Sequence, residues 1–187
     1  LILLLDRITN APSVGFDMSS YFEATKVDGL VLEFGVARGD SIRKIAGGFP
    51  DKTVYGFDSF EGLPEDWRPS IQKGAFSCDV PTDLPENVTL VKGWFEDTLV
   101  PFLEEHEGPV AFLHVDCDIY SATKTIFDNL KDRIVDGTII IFDEIFGYDG
   151  YEHHEFKAFN EYLVANDMNY ECIGIHQHEK AGFRVFK

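Results

Sequence analysis

Leu30-Val-Leu-Glu33-Phe-Gly35-Val-Ala-Arg-Gly39-Asp-Ser41 is the stretch on which the fold turns. Its first five residues are a short, mainly apolar run closed by glycine, which predicts a strand buried on both faces. A glycine-bearing turn follows, then a helical pattern over residues 40–46, so the whole stretch reads as strand, turn and helix. The same order recurs downstream. Thr53-Val-Tyr-Gly-Phe57, Val88-Thr-Leu-Val91, Val110-Ala-Phe-Leu-His-Val115 and Thr138-Ile-Ile-Ile-Phe142 predict four more strands. Helical spacing over residues 96–106 and 121–133 places helices between them, and Asp136-Gly137 is expected to turn the chain into the fifth strand. Alternation of this kind predicts a doubly wound, mostly parallel α/β sheet with helices on both faces. After the fifth strand a helix is expected over 153–165. Tyr170-Glu-Cys-Ile-Gly-Ile175 and Gly182-Phe-Arg-Val-Phe186 then stand too close together for a crossover, so they must pair antiparallel and complete a seven-stranded sheet.

With 187 residues, 44% of them hydrophobic, the chain has the material for one core, and a single domain over 1–187 is expected. Residues 1–28 read as a helical lead-in. Leu1 to Leu5 reads as a core-facing helix start, because the apolar run stops at Asp6, too short to span a membrane and without the basic flank of a signal peptide. Residues 62–87 hold four of the eight prolines and predict an irregular excursion at the ligand-binding end of the sheet. Cys78, Cys117 and Cys172 have no CxxC spacing, which argues against a disulfide framework or thiolate zinc site and favours a reducing, cytoplasmic setting. Against 16 basic residues stand 33 acidic ones, a net charge of −17 that repels phosphate backbones and anionic lipid. No nucleic acid and no membrane are therefore expected as partners; a homo-oligomer is left open.

In such sheets ligands bind beyond the carboxyl ends of the strands, where strand order reverses. Gly35 and Gly39 let the backbone turn there and approach a ligand without a Cβ. A dinucleotide fingerprint needs glycine at its first, third and sixth positions, but counting from Gly35 this chain offers Gly35, Ala37 and Asp40. Asp40 would also repel a pyrophosphate at the helix start. S-adenosylmethionine, with a sulfonium, an ammonium and no phosphate, suits Glu33 and Asp40 better. Asp58, ending the second strand beside Ser59, is placed to accept ribose hydroxyls. After the third strand, Gly93 permits close approach, and Trp94-Phe95 either stack on adenine or fill core.

Asp116 and Asp118 follow the fourth strand, Asp143 and Glu144 the fifth. If those strands are neighbours, Asp116, Asp143 and Glu144 meet at the cofactor edge, and such a cluster demands a cation or a proton. Oxygen donors alone point to a hard ion, magnesium rather than zinc. That ion would orient an acceptor hydroxyl and lower its pKa. Asp118, just before a helix, reads as an N-cap.

Five segments together resemble the macrocin O-methyltransferase family of sugar and macrolide methyltransferases, within the Rossmann-like class I methyltransferases. They are Glu33 to Ser41, Gly56-Phe-Asp-Ser-Phe-Glu-Gly-Leu-Pro64, Lys92-Gly-Trp-Phe-Glu-Asp-Thr98, Asp116-Cys-Asp-Ile-Tyr-Ser-Ala-Thr123 and Asp136-Gly-Thr-Ile-Ile-Ile-Phe-Asp-Glu144. The resemblance implies S-adenosylmethionine held by Glu33, Gly35, Ser41, Asp58 and Ser59, with the Gly93-Trp94 turn near the adenine. It also implies magnesium at Asp116, Asp143 and Glu144, the last standing where the family usually carries a second aspartate.

The expected activity is metal-assisted methyl transfer to a hydroxyl of a small molecule such as a sugar or natural product, with Asp116 and Asp143 catalytic. His153 or His154 is a candidate base, as is Tyr148. Otherwise Glu152-His-His-Glu155 and His176-Gln-His178 read as solvated, since neighbours in a helix do not share a face. Two rival readings are a non-catalytic adenosyl-ligand binding module and, disfavoured by Ala37 and Asp40, a nicotinamide-dependent oxidoreductase.

Overall fold

Every residue of Val110–Val115 is buried, as a strand covered on both faces must be, and the sheet grows outward from it. The computed structural model describes residues 18–176 and 179–187. The expectations for Leu1 to Leu5, for the part of the helical lead-in before residue 18 and for His178 lie outside the described residues.

In chain order the elements are α1 (Ser19–Ala24), β1 (Leu30–Phe34), α2 (Asp40–Gly48), β2 (Val54–Asp58), β3 (Val88–Lys92), α3 (Phe95–Glu105), β4 (Val110–Val115), α4 (Tyr120–Leu130) and β5 (Ile134–Phe142). A 3-10 turn (Tyr151–His153), α5 (Glu155–Ala165), β6 (Asn169–His176) and β7 (Lys180–Phe186) complete them. The seven strands lie in the order β3-β2-β1-β4-β5-β7-β6. β1 to β5 are parallel, while β7 runs antiparallel to both β5 and β6. The doubly wound sheet and its antiparallel end are as the sequence predicts.

Period-two alternation divides the core between the two faces. Leu32, Phe34, Phe57 and Phe142 join the cluster formed with Leu99 and Phe102 of α3, Phe127 of α4 and Phe159 of α5. Val31, Phe112 and Ile139 face the other way, against Ile42 and Ile45 of α2. Phe34 stacks on Phe57 at 4.6 Å between centroids, which ties β1 to β2 just beneath the turn that follows each.

Two local expectations are corrected. Asp136 and Gly137 do not precede β5 but lie inside it, in a bulge where the register jumps from Val110↔Ile134 to Phe112↔Ile139. The Thr138 hydroxyl spans the bulge, donating to the Val110 carbonyl at 2.7 Å and accepting from Val135 N–H at 3.0 Å, so the strand survives the turn signal. Asp118 is not a cap either. Ile119 occupies the N-cap of α4, which has no side-chain cap bond, and Asp118 sits buried before it with φ of 66°. Between β2 and β3 the chain forms no helix or strand, apart from a bridge between Arg68 and Ile71.

Candidate active site

β1 and β4 pair in parallel, so the turns after them leave the sheet side by side, and strand order reverses between them. Gly35, first residue of the β1 turn, has φ of +92°, and a Cβ there would lie 1.7 Å from the Asp116 carbonyl oxygen. The glycine is thus required by the neighbouring turn as well as by any ligand.

Asp58 holds this turn. Its Oδ2 accepts the N–H groups of Val36 and Ala37, both at 2.8 Å, and its Oδ1 accepts Phe60 N–H at 2.7 Å. Two donors that would cradle a pyrophosphate are therefore already satisfied by the protein's own carboxylate, which weighs against a dinucleotide. Asp58 lines the cavity and retains lone-pair capacity for a hydroxyl. Asp58→Asn places an NH₂ against at least one of these N–H donors. We expect it to cost about 1–3 kcal/mol, read by urea denaturation, and to weaken nucleoside binding in calorimetry.

The cavity, of about 560 Å³, is lined on one side by Gly35, Ala37, Asp58, Ser59, Trp94 and Phe95. On the other stand Leu63, Trp67 and Phe76 of the irregular excursion, with Ser121, Ala122 and Thr125 of α4. Six carboxylates line it, Asp58, Glu65, Glu96, Asp116, Asp118 and Glu144, and no Lys, Arg or His does among the described residues. Ala37, Phe76 and Asp118, all lining, have left-handed backbones, so strain gathers at this end of the sheet.

Asp116, Asp118 and Glu144 each bring one carboxylate oxygen within 4.8 Å of the others. Burial pushes Asp118 up to about 7 and Glu144 up to about 11, the latter helped by the Asp143 and Asp116 charges; burial also raises Asp116 well above the carboxylate range. Glu144 Oε2 is buried without a hydrogen-bond partner. An all-oxygen set this short of positive charge fits a hard divalent ion.

Asp143 is not one of this trio but adjoins it, hydrogen-bonded to Glu144 and paired with Lys180. Burial works against its charge, but His114 and Lys180 outweigh burial and hold it below the usual range. Glu33 also differs from expectation: it is fully buried, bonded at 2.9 Å to the equally buried His114, and absent from the lining. Gly39 and Gly93 stand in turns with positive φ and Ser41 in the first turn of α2, and none of the three lines the cavity. His153 is exposed on the 3-10 turn and does not reach the cavity, so the structure does not bring that candidate base to the acids. His154 and Tyr148 are likewise outside the lining.

Two groups escape sequence reasoning. Arg68 stacks between Trp67 and Tyr148, its guanidinium carbon 3.8 and 3.7 Å from the ring centroids, and pairs with Glu179 at 3.0 Å. It ties the excursion to the loop after β5 and the β6-β7 turn. Glu155, expected to be solvated, is fully buried beneath the β4 turn.

The strand order and the ligand end of this sheet define a Rossmann-like domain of the methyltransferase type. The chain belongs to the methyltransferase-domain family, which it matches over residues 32–145. It is 30% identical over 145 residues to the 8-demethyl-8-(2,3-dimethoxy-alpha-L-rhamnosyl)-tetracenomycin-C 4'-O-methyltransferase of Streptomyces olivaceus, covering 65% of this chain and 54% of that one. To the mycinamicin III 3''-O-methyltransferase of Micromonospora griseorubida it is 30% identical over 146 residues, covering 63% and 56%. The chain thus spans little more than half the length of these relatives. Among solved structures, a calicheamicin methyltransferase superposes with a TM-score of 0.71 at 22% identity, covering 90% of this chain and 76% of that one. No helix among the described residues is long and apolar enough to cross a membrane.

Proposed function

We propose that this chain is an S-adenosylmethionine-dependent O-methyltransferase that methylates a hydroxyl of a small molecule such as a sugar or natural product, assisted by magnesium. Within its family we assign it to the macrocin O-methyltransferase group. The observation that carries the reading is one cavity with two halves: a glycine turn braced by Asp58 beside Trp94, and a carboxylate trio beside an apolar wall. A sulfonium cofactor suits this cavity, because carboxylates line both halves and no cation does among the described residues.

Asp116, Asp118 and Glu144 would hold the ion; Asp143, paired with Lys180, supports the loop that carries Glu144. Bound there, magnesium supplies charge that makes an acceptor hydroxyl more acidic. The protein's own work is orientation. Trp67, Leu63 and Phe76 offer apolar surface to the acceptor and exclude water, while the Gly35 turn fixes the cofactor so that oxygen and methyl carbon meet in line. As the O–C bond forms and the S–C bond breaks, the hydroxyl proton passes to a lining carboxylate outside the trio; among the described residues no histidine lines the cavity. His153 accordingly has no place in this mechanism.

Calorimetry with S-adenosylhomocysteine, in chelator and in magnesium, tests the reading. We expect binding in both and an added heat from the ion. Asp116→Asn should keep cofactor affinity within about threefold while turnover on a panel of sugar, phenol and macrolide hydroxyls falls by about 100-fold or more, the scale of losing a polarising metal. Absence of cofactor binding would sink the methyltransferase reading; tight binding without transfer to any hydroxyl would favour the non-catalytic module.

A further inference from the structure

We propose that Glu155 is the positioning residue of the acid site, its carboxylate holding the β4 turn in the one shape that points Asp116 and Asp118 at Glu144. The inference rests on the cation reading above and adds to it a residue outside the ligand set.

The turn it holds is strained. Asp116 N–H still belongs to the sheet, donating to the Phe34 carbonyl at 2.8 Å, but the ladder ends there. Two residues beyond Cys117, Ile119 N–H donates back to the Cys117 carbonyl at 2.7 Å, closing a three-residue γ-turn about Asp118, whose φ is 66°. A γ-turn with positive φ at its centre is rare and costly, and persists only where its surroundings impose it. Its shape also leaves the N–H groups of Cys117 and Asp118 without backbone acceptors.

Glu155 supplies one. From the first residue of α5, its Oε1 accepts Cys117 N–H at 3.3 Å and Asp118 N–H at 3.2 Å, with Cys117 Sγ at 3.9 Å. The side chain is fully buried, and its Oε2 has no hydrogen-bond partner. A buried carboxyl beside Asp116, Asp118 and Glu144 is an expensive way to begin a helix, and burial raises it well above the usual carboxylate range, with the Asp118 and Asp116 charges adding to the rise. Helix α5 has no need of it: α5 carries its own apolar face in Phe156, Phe159 and Leu163. What Glu155 uniquely contributes is an acceptor at the two amides of the γ-turn. Groups that orient ligands in this way are worth about 10- to 100-fold in metal affinity.

The test compares Glu155→Gln, Glu155→Asp and Glu155→Ala with the wild type, using terbium luminescence displaced by magnesium and amide exchange at Cys117 and Asp118 by NMR. Gln keeps a carbonyl oxygen at the same reach, so it should retain amide protection and cation affinity within about threefold. Asp, shorter by a methylene, and Ala, with no acceptor, should lose protection at both amides and about 10- to 100-fold in cation affinity, with S-adenosylhomocysteine affinity unchanged. If Ala does not fold, the contrast between Gln and Asp decides. Equal loss in Gln and Ala would mean that charge and not bracing matters, and would overturn the proposal, as would protected amides in the Asp variant. If the wild type binds cofactor but no cation, the cation reading fails, and with it the acid-site role given to Glu155.

Discussion

Gly35→Ala is expected to unfold this end of the sheet and abolish cofactor binding. Two costs combine. The φ of +92° disfavours any Cβ, and the Cβ would fall 1.7 Å from the Asp116 carbonyl oxygen and 2.7 Å from its carbon, both backbone atoms of the adjoining strand end. Relief requires β1 and β4 to separate just where Asp116 N–H bonds the Phe34 carbonyl, and moves Gly35, whose own N–H bonds the Phe57 carbonyl of β2. Left-handed strain and overpacking together come to about 2–5 kcal/mol. For a chain of this size that lowers the melting temperature by on the order of 5–15 °C. Gly74→Ala is the control: its φ is +83°, but nothing lies within 4 Å of the added Cβ, so it should lose only the backbone term, about 1–2 kcal/mol, and keep cofactor affinity. Equal damage from both substitutions would show that contact with Asp116 is not what makes Gly35 necessary.

That contact also shows where sequence reading stops. β4 is legible to the residue, because six apolar or buried positions between turn signals leave no other choice, and the β6-β7 hairpin follows from a connection too short to cross over. β5 begins four residues before its apolar run, since a hydroxyl at Thr138 repairs a bulge that Asp136-Gly137 would otherwise make a turn. At the site, Gly35, Asp58, Trp94, Asp116 and Glu144 are legible as residues that line one cavity, each standing at a strand's carboxyl end. Asp118 reads as a cap from its place before a helix. Only the γ-turn, invisible in local pattern, swings it inward. Glu33 and Glu155 both depart from expectation for one reason: burial of a charged residue is decided by what packs over it. His114 lies beside Glu33 in the sheet, and α5 folds Glu155 against the β4 turn.

The crowding of those carboxyls makes an unusual dependence on pH the second large effect. Most carboxylates in folded proteins lie low and lend stability as pH rises through the acid range; here Asp143 alone of the cluster is held low, by His114 and Lys180 against burial. Burial takes Asp118 from an ordinary 3.8 to about 7 and Glu144 from 4.5 to about 11, and Asp116 and Glu155 move the same way. A raised acid binds its proton more tightly folded than unfolded. Between the ordinary value and the raised one, the native state therefore carries more protons, and stability falls with rising pH. For Asp118 that window runs from about 4 to about 7, at about 1.4 kcal/mol for each pH unit crossed, and Glu144 extends it into the alkaline range. In chelator the melting temperature should thus decline steadily from about pH 5 to about pH 9. A divalent ion needs the same carboxyls ionised, so magnesium should leave the melting temperature nearly unchanged at the acid end and raise it most at the alkaline end, by the equivalent of about 2.7 kcal/mol at about 100 times the dissociation constant. Asp116→Asn should flatten both curves, removing one charge from the repulsion and one ligand from the ion. A melting temperature that rose with pH in chelator, or a magnesium effect independent of pH, would mean that these carboxyls are ionised at no cost to the fold and that no cation is needed to hold them together.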